Sequence, residues 1–241
     1  MTLFMVMHKM TDDLEKGVPP RPGLIQEMGE LIGELNQKRV LHIGAGLRPT
    51  SERTRLRCSG GKCVRSQTPT RGTHELIDGF VMLKVPAMED ALTWAERLGA
   101  AIGDVEMDVG PVVEPWHLGI MEKPANPPLR VLVTTKAGAD SEAGKKPSAT
   151  AQQKIGAVIA SMKQAGVFLA AERLEPSSRG ARLRTSGTKR MWTDGPFAET
   201  KELISGFTIL RAGSLDEARA FTERYAAILG DIEVDVRQVV E

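Results

Sequence analysis

The chain has 241 residues, 41% hydrophobic and 26% charged, which is the composition of an ordinary globular protein. Its formal net charge of +1 creates no overall field that would attract nucleic acid, so we expect no nucleic-acid partner. The apolar N-terminal run, residues 2–10, is much shorter than the ~18 residues of a membrane span and lacks the marks of a signal peptide. Two cysteines are too few for a secreted disulfide framework. These features predict a cytoplasmic protein without membrane contact.

Helical and strand patterns alternate along the chain. Two helices are predicted in the first half, at residues 23–38 and 88–101. A proline-rich stretch follows at residues 115–128, with the composition of a linker. Two more helices are predicted in the second half, at residues 149–165 and 215–228. The clearest strand patterns surround this second pair, at residues 129–135, 167–174, 181–185, 189–193, 203–211 and 231–240.

This order of elements is that of the ferredoxin-like split βαβ fold, and the chain contains it twice. Residues 74–114 align with residues 201–241 without a gap at a displacement of 127 residues, and 18 of the 41 positions are identical. The displacement is too long for a solenoid repeat, which has ~20–50 residues. We therefore predict two modules, residues 1–114 and 129–241, joined by the linker at 115–128. Each four-stranded sheet would leave one apolar face that two modules can bury against each other.

The segment WTDGPFAETKE at residues 192–202 resembles the signature of the DGPF proteins, a branch of the YCII-related family. Residues 205–210, 216–218 and 232–239 resemble other segments of the same family. In the first copy the signature has decayed to QTPTRGT, at residues 67–73. The resemblance implies the dimeric α+β barrel superfamily. Here the two ferredoxin-like modules would form a pseudo-dimeric α/β barrel within one chain. Two such chains could also associate as a homodimer.

The resemblance leaves three classes of function open. The lead is a protein that binds a small molecule in a cleft between its modules, without a cofactor. Its arginines are compatible with an anionic ligand. The second is an enzyme of the lyase, isomerase or cofactor-free oxygenase type, since such enzymes occur among relatives. The third is a regulatory interaction protein acting with an extracytoplasmic-function sigma factor. Enzyme-like relatives carry a histidine that works with an aspartate, and Leu24 occupies that histidine position here.

Five residues are the candidates for the site. Arg184, Trp192 and Asp194 are expected to line the cleft, and Arg57 is the first-copy equivalent of Arg184. Guanidinium groups bind carboxylates and phosphates in a bidentate manner. Asp194 is also a candidate general base, with a structural turn residue as the alternative. His8, at the end of the first strand, is the other catalytic candidate.

The last strand of each copy carries carboxylates two residues apart. Glu233, Asp235 and Arg237 share one face, and the first copy has Glu106 and Asp108 at the equivalent positions. Such a pair of carboxylates could hold a hard cation. Because no third ligand is nearby in sequence, an ion-paired or solvated face is the favoured interpretation, and no metal site is predicted.

The two cysteines are five residues apart around a glycine pair. A turn at Gly60 and Gly61 would place Cys58 and Cys63 opposite each other on paired strands. Their expected separation is slightly longer than a disulfide prefers, and a reducing cytoplasm favours free thiols. The sequence leaves their redox state open.

Overall fold

The computed structural model describes most of the chain as a mixed α+β protein. The described residues form two antiparallel sheets of six strands each, and they divide into two compact units. Among them, no helix has the length and apolar character needed to cross a membrane. The described residues are 1–68, 76–197 and 203–240. Unit 1 contains described residues of 1–46 and 174–240, and unit 2 those of 47–68 and 76–173.

The strands and helices lie close to the positions that periodicity predicts. In chain order the strands are β1 (Thr2–Lys9), β2 (Leu41–Gly46), β3 (Thr54–Ser59), β4 (Lys62–Gln67), β5 (Ile77–Val85), β6 (Val105–Pro111), β7 (Leu129–Lys136), β8 (Phe168–Arg173), β9 (Ala181–Ser186), β10 (Lys189–Asp194), β11 (Ile204–Ala212) and β12 (Glu233–Gln238). The helices are α1 (Asp12–Glu15), α2 (Leu24–Gln37), α3 (Met88–Ile102), α4 (Ala139–Glu142), α5 (Ala149–Gln164) and α6 (Leu215–Leu229).

The two sheets have the same strand order but exchange strands between the sequence copies. Unit 1 has the order β10-β9-β12-β1-β11-β2, and unit 2 has β4-β3-β6-β7-β5-β8. A displacement of 127 residues converts one order into the other. The sheet of unit 1 takes β1 and β2 from the first copy and its other strands from the second, and the sheet of unit 2 does the reverse. The compact units therefore do not coincide with the sequence copies at residues 1–114 and 129–241.

The core of unit 1 shows how the exchanged strand is held. β1 pairs with β11 on one side and with β12 on the other, so Val6 lies opposite both Thr208 and Val236. Phe4 and Val6 face the helices and pack with Leu31 of α2 and Phe221 of α6. Burial of these apolar side chains, at roughly 25 cal/mol per Å², is the main force that holds β1 in this sheet.

The helix α6 is delimited by local signals that the sequence contains. The hydroxyl of Ser214 accepts a hydrogen bond from the Glu217 amide, 3.2 Å away, and the Glu217 carboxylate accepts one from the Gly213 amide, 2.6 Å away. Ser214 is therefore the N-cap, as the S-x-x-E motif predicts, while Glu217 reaches back one residue further than in a standard capping box. The helix ends before Gly230, whose φ of +91° lies in the region that favours glycine. The predicted bounds of this helix are confirmed.

Unit 2 has an equivalent core built from α3 and α5. Leu83 and Val109 belong to strands of the first copy, and Val131 and Val133 belong to β7 of the second copy. Met162 of α5 is fully buried among them. Each unit thus packs one helix from each copy against its sheet.

The hairpin of β3 and β4 contains a disulfide, which answers the question of redox state that the sequence leaves open. The predicted turn at Gly60 and Gly61 is present, with φ values of +56° and +78°. Cys58 lies directly opposite Cys63 in the strand register, and the two sulfurs are bonded. Strand pairing brings the two side chains closer than the sequence estimate assumed. The equivalent hairpin of unit 1 has Thr185 opposite Arg190 and forms without a covalent link.

Reduction of this disulfide is expected to lower the free energy of unfolding by about 2 kcal/mol. The value follows from the entropy that a loop of about six residues loses when it is closed in the unfolded chain. Urea unfolding with and without dithiothreitol measures the change. A double variant, Cys58→Ala with Cys63→Ala, is the control and should be insensitive to the reductant. Equal stability of the oxidised and reduced wild type would contradict the expectation.

Candidate functional site: a buried charge cluster in each unit

The sheet of unit 1 has charged side chains on the face opposite to α2 and α6, which we call the second face. Alternation along the strands produces it: Leu183 and Val234 point to the helices, so their neighbours point away. The second face also carries apolar residues, among them Met5 and Phe207, which are buried. We define the charge cluster of unit 1 as Lys9, Arg182, Arg184, Glu233 and Asp235.

Asp235 is the centre of this cluster. Its carboxylate lies 2.9 Å from the Lys9 ammonium, and it accepts two hydrogen bonds from Arg182, of 2.6 and 2.9 Å. The side chains of Lys9 and Asp235 are only 3% and 2% exposed. Burial alone would raise the pKa of Asp235, but the adjacent Lys9 and Arg182 outweigh it and hold that pKa below its usual value. Asp235 is therefore a carboxylate at neutral pH.

The ion pairs continue from the buried centre to the surface. Arg182 also lies 3.3 Å from Glu233, and Glu233 accepts a 2.6 Å hydrogen bond from Arg184. The Arg184 side chain is 62% exposed. The chain of ion pairs thus runs from buried Lys9 through Asp235, Arg182 and Glu233 to the accessible guanidinium of Arg184. Its direction across the sheet follows the register, in which Asp235 faces Arg182 and Glu233 faces Arg184.

Unit 2 contains the equivalent cluster, in which the lysine contacts Glu106. Arg55 makes two hydrogen bonds to Asp108, of 2.8 and 2.6 Å, and one of 2.7 Å to Glu106. Lys136, the equivalent of Lys9, bonds to Glu106 at 3.0 Å. Arg57 bonds to Glu106 at 3.1 Å and is 68% exposed. Burial raises the pKa of Glu106, and the cations of Lys136 and Arg57 overcome this effect and lower it.

Both clusters depend on the strand exchange. Lys9 belongs to the first sequence copy and meets Asp235 of the second, whereas Lys136 belongs to the second copy and meets Glu106 of the first. The carboxylates that the sequence offered as cation ligands are therefore ion-paired with the chain's own cations. Among the described residues, no group of three or more His, Cys, Asp or Glu side chains could hold a metal ion.

The signature loop packs against Arg182. The ring of Phe197 lies 4.4 Å from the guanidinium carbon of Arg182. The backbone amide of Phe197 donates to the Ser177 hydroxyl at 3.2 Å. The Gly195 amide donates to the carbonyl of Gly180 at 3.1 Å. A Cβ atom on Gly195 would overlap the carbonyl oxygen of Ser177, so this position requires glycine. The end of the signature, residues 198–202, lies outside the described residues.

Trp192 and Asp194 lie on the other face of the sheet, against α6, and not beside Arg184. Asp194 is ion-paired with Arg219, and its side chain is 77% exposed. The indole nitrogen of Trp192 donates to Glu223 at 2.8 Å. The structure thus separates the ligand set that the sequence suggested: Arg184 and Arg57 lie on the charged second faces of their own units, while Trp192 and Asp194 brace the edge strand β10.

Substitution Asp194→Ala is expected to change the free energy of unfolding by no more than about 1 kcal/mol. Exposed ion pairs contribute little because water screens them. The substitution should also leave ligand binding unchanged, since Asp194 does not share a face with Arg184. Urea unfolding and a binding titration check both statements. Loss of binding at unchanged stability would restore Asp194 as a site residue.

His8 has a titratable partner that sequence reasoning missed. Its Nδ1 lies 2.7 Å from the hydroxyl of Tyr225 on α6, and both residues are buried. Burial raises the pKa of Tyr225, and a hydrogen bond with Thr208 opposes the shift. Gly206 provides the space, because a Cβ atom there would lie 2.5 Å from the imidazole. Tyr225 lies among the buried residues of the amphipathic helix α6, and nothing in its local sequence points to a partner on β1.

Comparisons with known proteins find a family model that matches part of the chain. Residues 130–239 match the model of the YCII-related domain. The chain is also similar to an uncharacterized protein of Rhizobium meliloti, with 42% identity over 67 residues that cover 28% of this chain and 54% of that protein. The chain thus spans about half the length of the curated relative it matches. No solved structure matches the chain.

The match confirms the resemblance for the second copy. The matched segment crosses the boundary between the units, since residues 130–173 belong to unit 2 and residues from 174 onward belong to unit 1. The YCII-related domain is thus a sequence unit that contributes to both sheets. A YCII-like first copy stays a prediction, which is based on the internal repeat.

Proposed function

We propose that the protein binds a small anionic molecule at the exposed ends of its charge clusters. Arg184 in unit 1 and Arg57 in unit 2 are the proposed ligand-contacting residues. The observation that carries the proposal is their double character: each is more than half exposed, yet each is fixed by a hydrogen bond to a glutamate, Glu233 or Glu106. A guanidinium held in place loses little side-chain entropy when it binds a carboxylate or a phosphate.

The charge of the clusters favours an anion over a cation. The cluster of unit 1 has three cations, Lys9, Arg182 and Arg184, and two carboxylates, Glu233 and Asp235, which sum to 3 − 2 = +1. Lys136, Arg55 and Arg57 with Glu106 and Asp108 give the same sum in unit 2. A cation would have to displace these existing pairs, whereas an anion adds to them.

The barrel is the architectural part of the proposal. Two sheets that joined through their second faces would form the pseudo-dimeric α/β barrel implied by the YCII resemblance. The apolar character of Met5, Phe207 and Ile209 on the second face of unit 1 supports this arrangement, because such residues favour burial. Small-angle scattering tests it, since two separated units would give a larger radius of gyration than one barrel.

An enzyme is the second candidate function, favoured by the pair of His8 and Tyr225. A histidine within hydrogen-bond reach of a second titratable group is the arrangement expected of an acid–base site. A turnover screen with any bound anion tests it, and Tyr225→Phe should then abolish turnover. The regulatory alternative, a sigma-factor partner, is supported by the exposed apolar residues Leu118, Ile120 and Met121, and pull-down with purified sigma factor tests it.

A thermal-shift screen of carboxylates and phosphorylated metabolites tests the lead proposal. A ligand at about 100 times its Kd stabilises the folded protein by ~2.7 kcal/mol. The stabilisation should disappear in a variant with Arg184→Ala and Arg57→Ala, and it should persist in Arg190→Ala. Arg190 is a suitable control because it is an exposed arginine on β10, outside both clusters. The proposal fails if no anion stabilises the wild type, or if Arg190→Ala loses the effect equally.

A further inference from the structure

An arginine and a glycine have changed places between the two units. In unit 2, Arg53 lies beside Gly110, where a Cβ atom would come within 2.8 Å of the arginine side chain. In unit 1, Gly180 lies beside Arg237, where a Cβ atom would come within 3.2 Å of that arginine. A displacement of 127 residues relates position 53 to 180 and position 110 to 237. The arginine therefore comes from the residue just before β3 in unit 2 and from β12, on the opposite side of the equivalent strand pair, in unit 1.

The guanidinium groups of both arginines lie at equivalent positions in the two units. The Nε of Arg53 donates to the carbonyl oxygen of Arg48 at 2.8 Å, and the Nε of Arg237 donates to that of Glu175 at 3.0 Å. Positions 48 and 175 are equivalent under the same displacement. Both arginines are buried, at 4% and 2% exposure. Each carbonyl lies in the connection by which the chain enters its new unit, just before β3 or β9.

We propose that this buried guanidinium is a positioning element that both units require and that either strand can supply. It fixes the connection leading into the strand that carries Arg55 or Arg182, and so sets where that arginine meets its carboxylates. Burial of a guanidinium is costly, and the hydrogen bond to the carbonyl offsets only part of that cost, since the Nη2 atom of Arg53 is buried without a hydrogen-bond partner among the described residues. A packing role alone would therefore be filled better by an apolar side chain. Gly110 leaves room for the Arg53 side chain, and Gly180 leaves room for both the Arg237 side chain and the backbone oxygen of Val236.

Exchange variants in unit 2 test the inference. Arg53→Gly removes the guanidinium, and Gly110→Arg adds a second arginine where Arg53 already lies. Each single variant should lower the Tm by about 5 °C or more. The double variant recreates the arrangement of unit 1 and should return to within about 2 °C of the wild type. A double variant no more stable than the worse single one, or single variants as stable as the wild type, would overturn the inference.

The same exchange in unit 1 is the matched control. At Gly110 the obstacle to a side chain is the Arg53 side chain itself, which the double variant removes. At Gly180 a Cβ atom would also lie 2.5 Å from the backbone oxygen of Val236, which remains. Gly180→Arg with Arg237→Gly should therefore stay destabilised. Equal recovery of the Tm by the double variants of both units would indicate that the protein tolerates such paired substitutions in general. It would count against a specific role of the buried guanidinium.

The effect on ligand binding depends on the proposed function, and inorganic phosphate separates the two proposals. The specific rise in Tm with phosphate is defined as the rise in a given protein minus the rise measured in Arg57→Ala. This specific rise should disappear in Arg53→Gly and return in the double variant. If the double variant recovers its stability while the wild type shows no specific rise, the positioning role stands and phosphate binding is refuted. If stability is not recovered, the positioning role is refuted whatever phosphate does.

Discussion

Replacement of Asp235 by asparagine is expected to lower the free energy of unfolding by about 3–5 kcal/mol. Asparagine keeps the size of the side chain but removes the charge that neutralises Lys9 and Arg182. Those two cations would remain next to each other, with Lys9 only 3% exposed, and water could not replace the lost carboxylate. Urea unfolding at neutral pH measures the loss.

Asp108→Asn is the matched control, because Asp108 occupies the equivalent position in unit 2. There the lysine, Lys136, bonds to Glu106, and the Asp108 side chain is 12% exposed, against 2% for Asp235. The loss of stability should therefore be smaller than for Asp235→Asn. Equal losses for the two variants, or a loss below about 1 kcal/mol for Asp235→Asn, would contradict the assignment of Asp235 as the cluster centre.

The same residue determines an acid-sensitive part of the stability. Because the pKa of Asp235 is lower in the folded protein than in the unfolded chain, its contribution is fully present above the unfolded value of ~3.9. The contribution is lost as the pH falls from there through the folded pKa. The difference in stability between wild type and Asp235→Asn should thus narrow below about pH 4. A constant difference down to lower pH would contradict this account.

Gly195→Ala is expected to lower the free energy of unfolding by about 1–3 kcal/mol, the usual effect of overpacking. The added methyl group would overlap the backbone oxygen of Ser177, and a backbone atom cannot rotate away as a side-chain end can. The loop must move instead, which would take Phe197 away from Arg182. The substitution therefore tests whether the signature is a packing element of the charge cluster.

Gly138→Ala provides the comparison for the effect of alanine itself. Gly138 has a φ of −114°, and an added Cβ atom would meet nothing within 4 Å. This variant should differ from the wild type by less than about 0.5 kcal/mol, as is usual for surface sites. If Gly195→Ala is equally mild, the DGPF glycine is not constrained by Ser177.

Local elements were predictable from sequence because their signals are local. The S-x-x-E motif at Ser214 and the stop at Gly230 place α6, and β7 follows from the short strand-type run LRVLVTT. The exchange of strands was not predictable in the same way. β1 and β7 present the same pattern, including Lys9 and Lys136, so either strand satisfies either sheet.

Trp192 lies on the opposite sheet face from the expected one because the register of the hairpin differs by one residue. A three-residue turn at 186–188 would pair Trp192 with Arg182 and put both on one face. The structure pairs Ser186 with Lys189, so the turn has two residues and Trp192 lies opposite Leu183. A slip of one residue moves every side chain of a strand to the other face. Gly187, with φ +56°, was the signal for the shorter turn.

A double-mutant cycle on Lys9 tests the strand exchange most directly. Lys9→Met combined with Asp235→Asn should show a coupling energy of about 0.5–3 kcal/mol, the range for residues in contact. Lys9→Met combined with Asp108→Asn should show none, because Asp108 belongs to the other cluster. Coupling of Lys9 to Asp108 and not to Asp235 would place β1 in the sheet of its own sequence copy and contradict the exchange.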